Sequence, residues 1–133
     1  ISSRTGLGAT PPLVFGNPAS YPTKDYADLV KVLVTYNGSA TNYLALDPQT
    51  AGAPWVYERA NSTQAALVHS AATCANMQAA VARANLPRMN TGWLFVTDQT
   101  VGAPWSTLPA NIYWKSFLGT VDATNKGYPL PSC

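Results

Sequence analysis

Charge is scarce in this chain. Charged residues make up 11% of its 133 positions, against roughly a quarter in ordinary soluble domains. The eight lysines and arginines are scattered singly and the net charge is +2, so there is no basic stripe of the kind that holds nucleic acid. No apolar run approaches the ~20 residues that a membrane span needs. Neither nucleic acid nor a membrane is therefore an expected partner. Histidine occurs once, at His69, with no cluster of cysteines or acids nearby, which argues against a metal centre. No cofactor is expected either, because the chain has no Gly-x-x-x-x-Gly-Lys phosphate loop. A Gly-x-Ser-x-Gly nucleophile elbow is also absent. Acids number six, and Glu58 is the only glutamate among them.

What is present is apolar. Hydrophobic residues reach 47%, enough for one domain with a real core and too much for a disordered chain. The central stretch is Val32-Leu33-Val34-Thr35-Tyr36-Asn37-Gly38-Ser39. Its first residues form a continuous β-branched and aliphatic run without polar alternation, which predicts a strand buried on both faces, as in a parallel sheet.

In chain order, Ile1–Thr10 is a Gly/Ser/Thr-rich lead-in, and Pro12–Phe15 is a short strand closed by Gly16-Asn17-Pro18. Ser20–Lys31 reads as a short helix or turn, followed by the strand Val32–Tyr36. A long Pro/Gly-containing connection, Asn42–Gln64, leads to the strand Ala65–His69. The clearest helix spans Cys74–Asn85, with Thr73 as its cap and Pro87 as its stop. Trp93–Thr97 is the fourth strand, Pro109–Asp122 the last helix, and Asn125–Cys133 an irregular tail. Ile112, Tyr113, Phe117 and Val121 are spaced for one apolar face of that helix. One segment recurs: Gln49-Thr50-Ala51-Gly52-Ala53-Pro54-Trp55 returns as Gln99-Thr100-Val101-Gly102-Ala103-Pro104-Trp105. Either the copies are equivalent loop-to-helix entries on one face, or loop-forming residues have been reused by chance.

Alternating strands and helices imply β/α units and a mainly parallel α/β sheet. Residues 1–133 then form a single small domain, or half of a (β/α)8 barrel, whose usual size is ~250 residues. The N-terminus, Ile1-Ser2-Ser3-Arg4, suggests a processed chain or a piece of a longer one. Asn37-Gly38-Ser39 and Asn61-Ser62-Thr63 are glycosylation sequons, and Cys74 with Cys133 could form one disulfide or stay free. These features favour secretion, and the Thr-, Ser-, Ala- and Pro-rich composition fits a secreted fungal-type protein.

The strand endings, taken together, resemble the C-terminal half of spherulin-4-like proteins, the spherulation-specific glycoside hydrolases. The matching features are Phe15-Gly16-Asn17-Pro18, then Tyr26-Ala27-Asp28 through Tyr36-Asn37-Gly38-Ser39, then Ala65–His69, then Gly92–Asp98, then Pro104-Trp105 and Leu108-Pro109. The resemblance implies a TIM-barrel-type (β/α)8 fold to which this chain contributes roughly strands five to eight. It also implies hydrolysis of a galactosaminogalactan-type polysaccharide outside the cell, by an Asp-Glu pair on a fourth strand that this chain does not contain. A further acid of the family, after the aromatic of the sixth strand, is replaced here by Asn37.

Glycoside hydrolysis needs two carboxylates across the scissile bond. Asp98, closing a strand where barrel active sites lie, is the best acid to face a site, and Asn37 occupies the other catalytic position. Glu58 is expected to pair with Arg59 or face solvent. Asn17, Tyr36 and His69 end strands and are candidates to hold sugar hydroxyls. Trp55 and Trp105, in the repeated loops, are candidate stacking platforms for a pyranose face; Trp93 and Trp114 are expected in the core. Asn37 admits three readings: a true loss of the acid, a glycan attachment point at the barrel mouth, or an offset of a residue or two in the resemblance. The expected function is that of a secreted glycoside hydrolase with its own activity in question, and the alternative is a non-catalytic polysaccharide-binding or assembly protein. Half a barrel would expose two strand edges. The expected partners are therefore a cell-wall glycan and either an N-terminal barrel half or a second copy.

Overall fold

The computed structural model describes residues 13–133. The lead-in and the start of the first predicted strand lie outside them. Four strands form one parallel sheet in the order β1-β2-β3-β4: β1 Phe15–Gly16, β2 Val32–Ser39, β3 Gln64–His69 and β4 Trp93–Val96. Helices connect them: α1 Lys24–Ala27, α2 Ala40–Ala45, α3 Cys74–Ala84 and, last, α4 Asn111–Lys126. This is the predicted α/β alternation.

Several elements depart from the sequence reading. The stretch taken as one long irregular connection begins with a helix. Ser39, ending β2, turns directly into α2 and accepts a hydrogen bond from Asn42 N at 3.4 Å as its cap. Two 3-10 turns, Pro54–Glu58 and Asn61–Thr63, follow before β3. α4 runs four residues past its predicted end, to Lys126, and stops at Gly127, whose φ of 68° supplies the left-handed cap. Its buried stripe is Phe117, Thr120 and Ala123, whereas Ile112, expected on the apolar face, is 82% exposed. α3 matches its prediction closely, with Thr73 Oγ1 accepting from Asn76 N at 3.1 Å.

The sheet has two unlike sides. On the covered side Ala66, Val68 and Val96 pack against Tyr43 of α2, Met77 and Ala80 of α3, and Phe117 of α4. On the other side Val32, Val34, Ala65 and Leu67 form a separate cluster to which no described helix contributes. Phe15 pairs with Val32 and Trp93 with Ala65, so both share this open side. Their rings meet edge to face with centroids 6.1 Å apart. In a flat sheet the backbones of β1 and β4 would stand about 14 Å apart, so the meeting marks a sheet curled toward its open side. Trp93 was expected in the core but is 48% exposed there, with its indole N–H donating to Ser62 O at 2.8 Å.

The starting ends of the strands are densely tied. Gln64 donates to Val56 O at 2.9 Å, and Asn90 donates to both Val56 O and Arg59 O at 2.7 Å. Arg59 reaches Asp28 at 2.9 Å rather than Glu58, which stays exposed near Lys24. Gly92 lies against Asn61 so closely that a Cβ would come 2.4 Å from its carbonyl oxygen. Cys74 and Cys133 are joined, and Gln78 holds the tail through Pro131 O at 2.8 Å.

Two outcomes follow for stability. Opening the Cys74–Cys133 bridge, by reduction or by Cys133→Ser, frees a loop with a sequence separation of 59 and should cost about 2–4 kcal/mol in urea unfolding. Tyr43 is fully buried, and burial pushes its hydroxyl from the ordinary 10.0 up to about 12. Its neutral form is the one the fold favours, so its contribution is complete below pH ~10 and is lost as pH climbs toward about 12. Tyr43→Phe should flatten part of that alkaline decline in urea melts at pH 9 and pH 11, with Tyr21 and Tyr113, also raised by burial, retaining the rest.

Candidate functional site

All four strands run the same way, so their C-terminal ends lie together. In open and closed parallel sheets that end is where ligands bind. It carries Asn17 just beyond β1, Asn37 to Ser39 on β2, His69 on β3, and Asp98 two residues beyond β4. Ser39 and His69 are register partners.

Strand β2 does not pair evenly. Val34 is opposite Ala65 and Tyr36 opposite Ala66, leaving Thr35 as an extra residue, a β-bulge. Thr35 and Tyr36 therefore both turn to the covered side. There the Tyr36 ring meets that of Tyr43 at 4.9 Å and its hydroxyl donates to Ser39 O at 2.6 Å. Burial raises its pKa. Tyr36 was read as a sugar-binding residue at a strand end; the bulge sends it into the core contacts instead. The same extra residue places Asn37 beside Leu67, on the open side. No side-chain hydrogen bond engages Asn37 among the described residues.

His69 ends β3 half-buried, with Nδ1 2.8 Å from Ser70 Oγ. Ser70 adopts φ 58°, a left-handed turn, and its N–H donates to Gln99 O at 2.7 Å, tying this turn to the loop after β4. Trp105 reaches back from that loop to within 5.8 Å of the His69 ring and 6.0 Å of Phe95. It is 39% exposed, so one part of the indole is anchored and another is available. Asp98 accepts from Gln99 Nε2 at 3.0 Å. Its charge adds to burial in raising the pKa of Tyr113, whose hydroxyl donates to Ala71 O at 2.8 Å. The structure thus gathers Asn37, His69, Asp98 and Trp105 at one end, with Asn17 exposed just beyond the neighbouring strand.

Trp55 does not join them. It is 7% exposed, packed on Tyr21 and Leu33 at the starting end of the strands. The repeated segments share a left-handed glycine, Gly52 and Gly102, but not a location. The first copy follows α2, which has carried the chain back to the starting end, whereas the second follows β4 directly. They are not equivalent entries on one face. Trp114, expected in the core, packs there with Phe95 and Phe117.

The remaining acids are engaged elsewhere: Asp28 with Arg59, Asp47 with Arg88 at 3.3 Å and Asp122 with Lys126 at 2.8 Å. Asp25 sits on the short α1 and Glu58 on a starting-end turn. Asp98 is the one carboxylate that the described residues bring to the C-terminal end. Among them no cluster of three His, Cys, Asp or Glu residues can hold a metal ion, and no helix is long and apolar enough to cross a membrane. Of the sequons, Asn61 is exposed on a 3-10 turn, whereas Asn37 lies within the β2 ladder.

The family model of spherulation-specific family 4 matches residues 2–121. The chain belongs to that family. No curated protein matches it. Among solved structures, the crystal structure of Aspergillus clavatus Sph3 in complex with GalNAc is similar at 13% identity and a TM-score of 0.55. The likeness covers 80% of this family 4 chain and 41% of the Sph3 chain, so the chain spans well under half of that relative. At this identity the likeness speaks for the fold, an α/β arrangement around a parallel sheet.

The accessible sequon has a direct check. Expressed in a eukaryotic secretory host, the chain should carry one N-glycan. The glycosidase-sensitive mass shift should disappear in Asn61→Gln and persist in Asn37→Gln.

Proposed function

We propose that this chain is the C-terminal half of a secreted (β/α)8 protein and that its strand ends hold an amino-sugar polysaccharide. The observation that carries the reading is the convergence of Asn37, His69 and Trp105 at the C-terminal end of one parallel sheet. A hydrogen-bonding amide, an imidazole and a half-exposed indole match the needs of a pyranose, which offers hydroxyls at its rim and an apolar face. Family membership and the GalNAc complex of Sph3 support an N-acetylated galactosamine polymer as the class to try first. The open side, with Phe15 and Trp93 half exposed, suits completion by four further strands, which would also close both sheet edges; a second copy of the chain is the alternative occupant.

With Asp98 as its only carboxylate at this end, the described half does not supply the pair that hydrolysis requires. Binding is therefore assigned to this half, and cleavage to a whole barrel whose other half brings further acids. The competing reading, a binding protein with no hydrolytic role at all, is favoured by the amide at Asn37.

Calorimetric titration with GalNAc oligosaccharides and a reducing-end assay separate these outcomes. This chain should bind without releasing reducing ends, and Trp105→Ala should weaken binding about tenfold, the scale of one lost aromatic stacking contact. Release of reducing ends by this chain alone would overturn the division of labour. Absence of binding by both this chain and a chain extended by the partner half would overturn the glycan reading.

A further inference from the structure

We propose that the bulge at Thr35 and the Tyr36 hydroxyl form a positioning device that presents Asn37 to the ligand. The proposal rests on the reading of the strand ends as a glycan site and adds to it two residues that never touch the sugar.

Strand side chains alternate, so Val34 on the open side would ordinarily be followed by a covered Thr35, an open Tyr36 and a covered Asn37. That register would bury a side-chain amide under α2 and α3, where an unpaired polar group is costly. It would also leave a tyrosine where Asn37 now stands. The extra residue reverses both placements. Tyr36 lands opposite Ala66 on the covered side, and Asn37 opposite Leu67 on the open side.

A bulge interrupts the ladder and persists only where neighbouring contacts hold it. Four do so here. Thr35 Oγ1 donates to Ala65 O at 3.3 Å, across the irregularity itself. The Tyr36 ring lies on Tyr43, which is fully buried. The Tyr36 hydroxyl passes over Gly38 to Ser39 O at 2.6 Å, closing a clasp around Asn37. Gly38 permits that passage, since a Cβ there would lie 2.7 Å from the Tyr36 hydroxyl. Beyond the clasp Ser39 begins α2 as its cap, so the backbone on both sides of Asn37 is held while its amide remains unengaged among the described residues. A rigid backbone carrying an unsatisfied donor and acceptor on the open side is the arrangement that lowers the ordering cost of binding.

Asn37 is thus assigned as a ligand-contacting residue and Tyr36 as a positioning residue acting through it. A double-mutant cycle with a GalNAc oligosaccharide as the probe tests this. Tyr36→Phe keeps the ring and removes the clasp; it should weaken binding about three- to tenfold in the native background. It should have no further effect in the Asn37→Ala background. Equal losses in the two backgrounds, or a lowered Tm with unchanged affinity, would make Tyr36 merely structural and overturn the proposal. A ligand-free measurement keeps the proposal separate from the glycan reading. In the nuclear Overhauser spectrum the Asn37 side-chain amide should contact Leu67 methyls and not those of Val68, and in Tyr36→Phe it should lose its distinct shift. An amide facing Val68, or one unchanged in Tyr36→Phe, would overturn the device even if glycan binds. A fixed amide in a protein that binds no oligosaccharide would overturn its assignment as a ligand contact.

Discussion

Everything in this structure depends on how β2 lies along β3. These are the two central strands, and their parallel pairing decides which side chains go under the helices and which face the open side. Leu33, Ala66 and Val68 point toward the covered side; Val34, Ala65 and Leu67 point away. A one-residue slip in such a pairing sends every side chain to the opposite side. The bulge applies that slip deliberately and only once, after Val34, so the first half of β2 and its last half obey opposite parities. The core is built on the first parity and the candidate site on the second.

Much of this was legible in the residues. Continuous aliphatic runs marked the buried strands, and Thr73 and Pro87 bounded α3 because capping and chain-breaking are local chemistry. The C-terminal strand ends were legible too, since His69 and Asp98 sit where apolar runs stop. What was not legible depends on long-range contacts. Nothing in Val34-Thr35-Tyr36 announces a bulge, because its supports, Ala65 and Tyr43, are distant in the chain. α2 went unseen because a helix of six residues shows under two turns of periodicity, and its cap, Ser39, read equally well as the end of a strand. Trp55 and Trp105 have nearly identical neighbours in sequence and opposite environments in space. Their fates are set by whether a helix or a strand precedes the repeated segment, which no local pattern records.

The same dependence on context governs the chemistry. Asn37, His69 and Trp105 are ordinary residues until adjacent strand ends bring them together. Asp98 is the one carboxylate that the described residues place beside them, so in the proposed reading this end holds a neutral, hydroxyl-rich ligand. Low overall charge agrees with that, because a site without strong fields recognises by hydrogen bonding and stacking.

The ties at the opposite end of the strands have a consequence for how such a chain can change over time. Asn90 bridges Val56 and Arg59, Gln64 reaches Val56, and Gly92 lies flush on Asn61, all away from the candidate site. In the proposed reading, fold integrity and ligand recognition therefore fall to different ends of the same strands. On that reading, a change at Asn37 or Trp105 alters recognition while the ties through Val56, Arg59 and Asn61 stay in place.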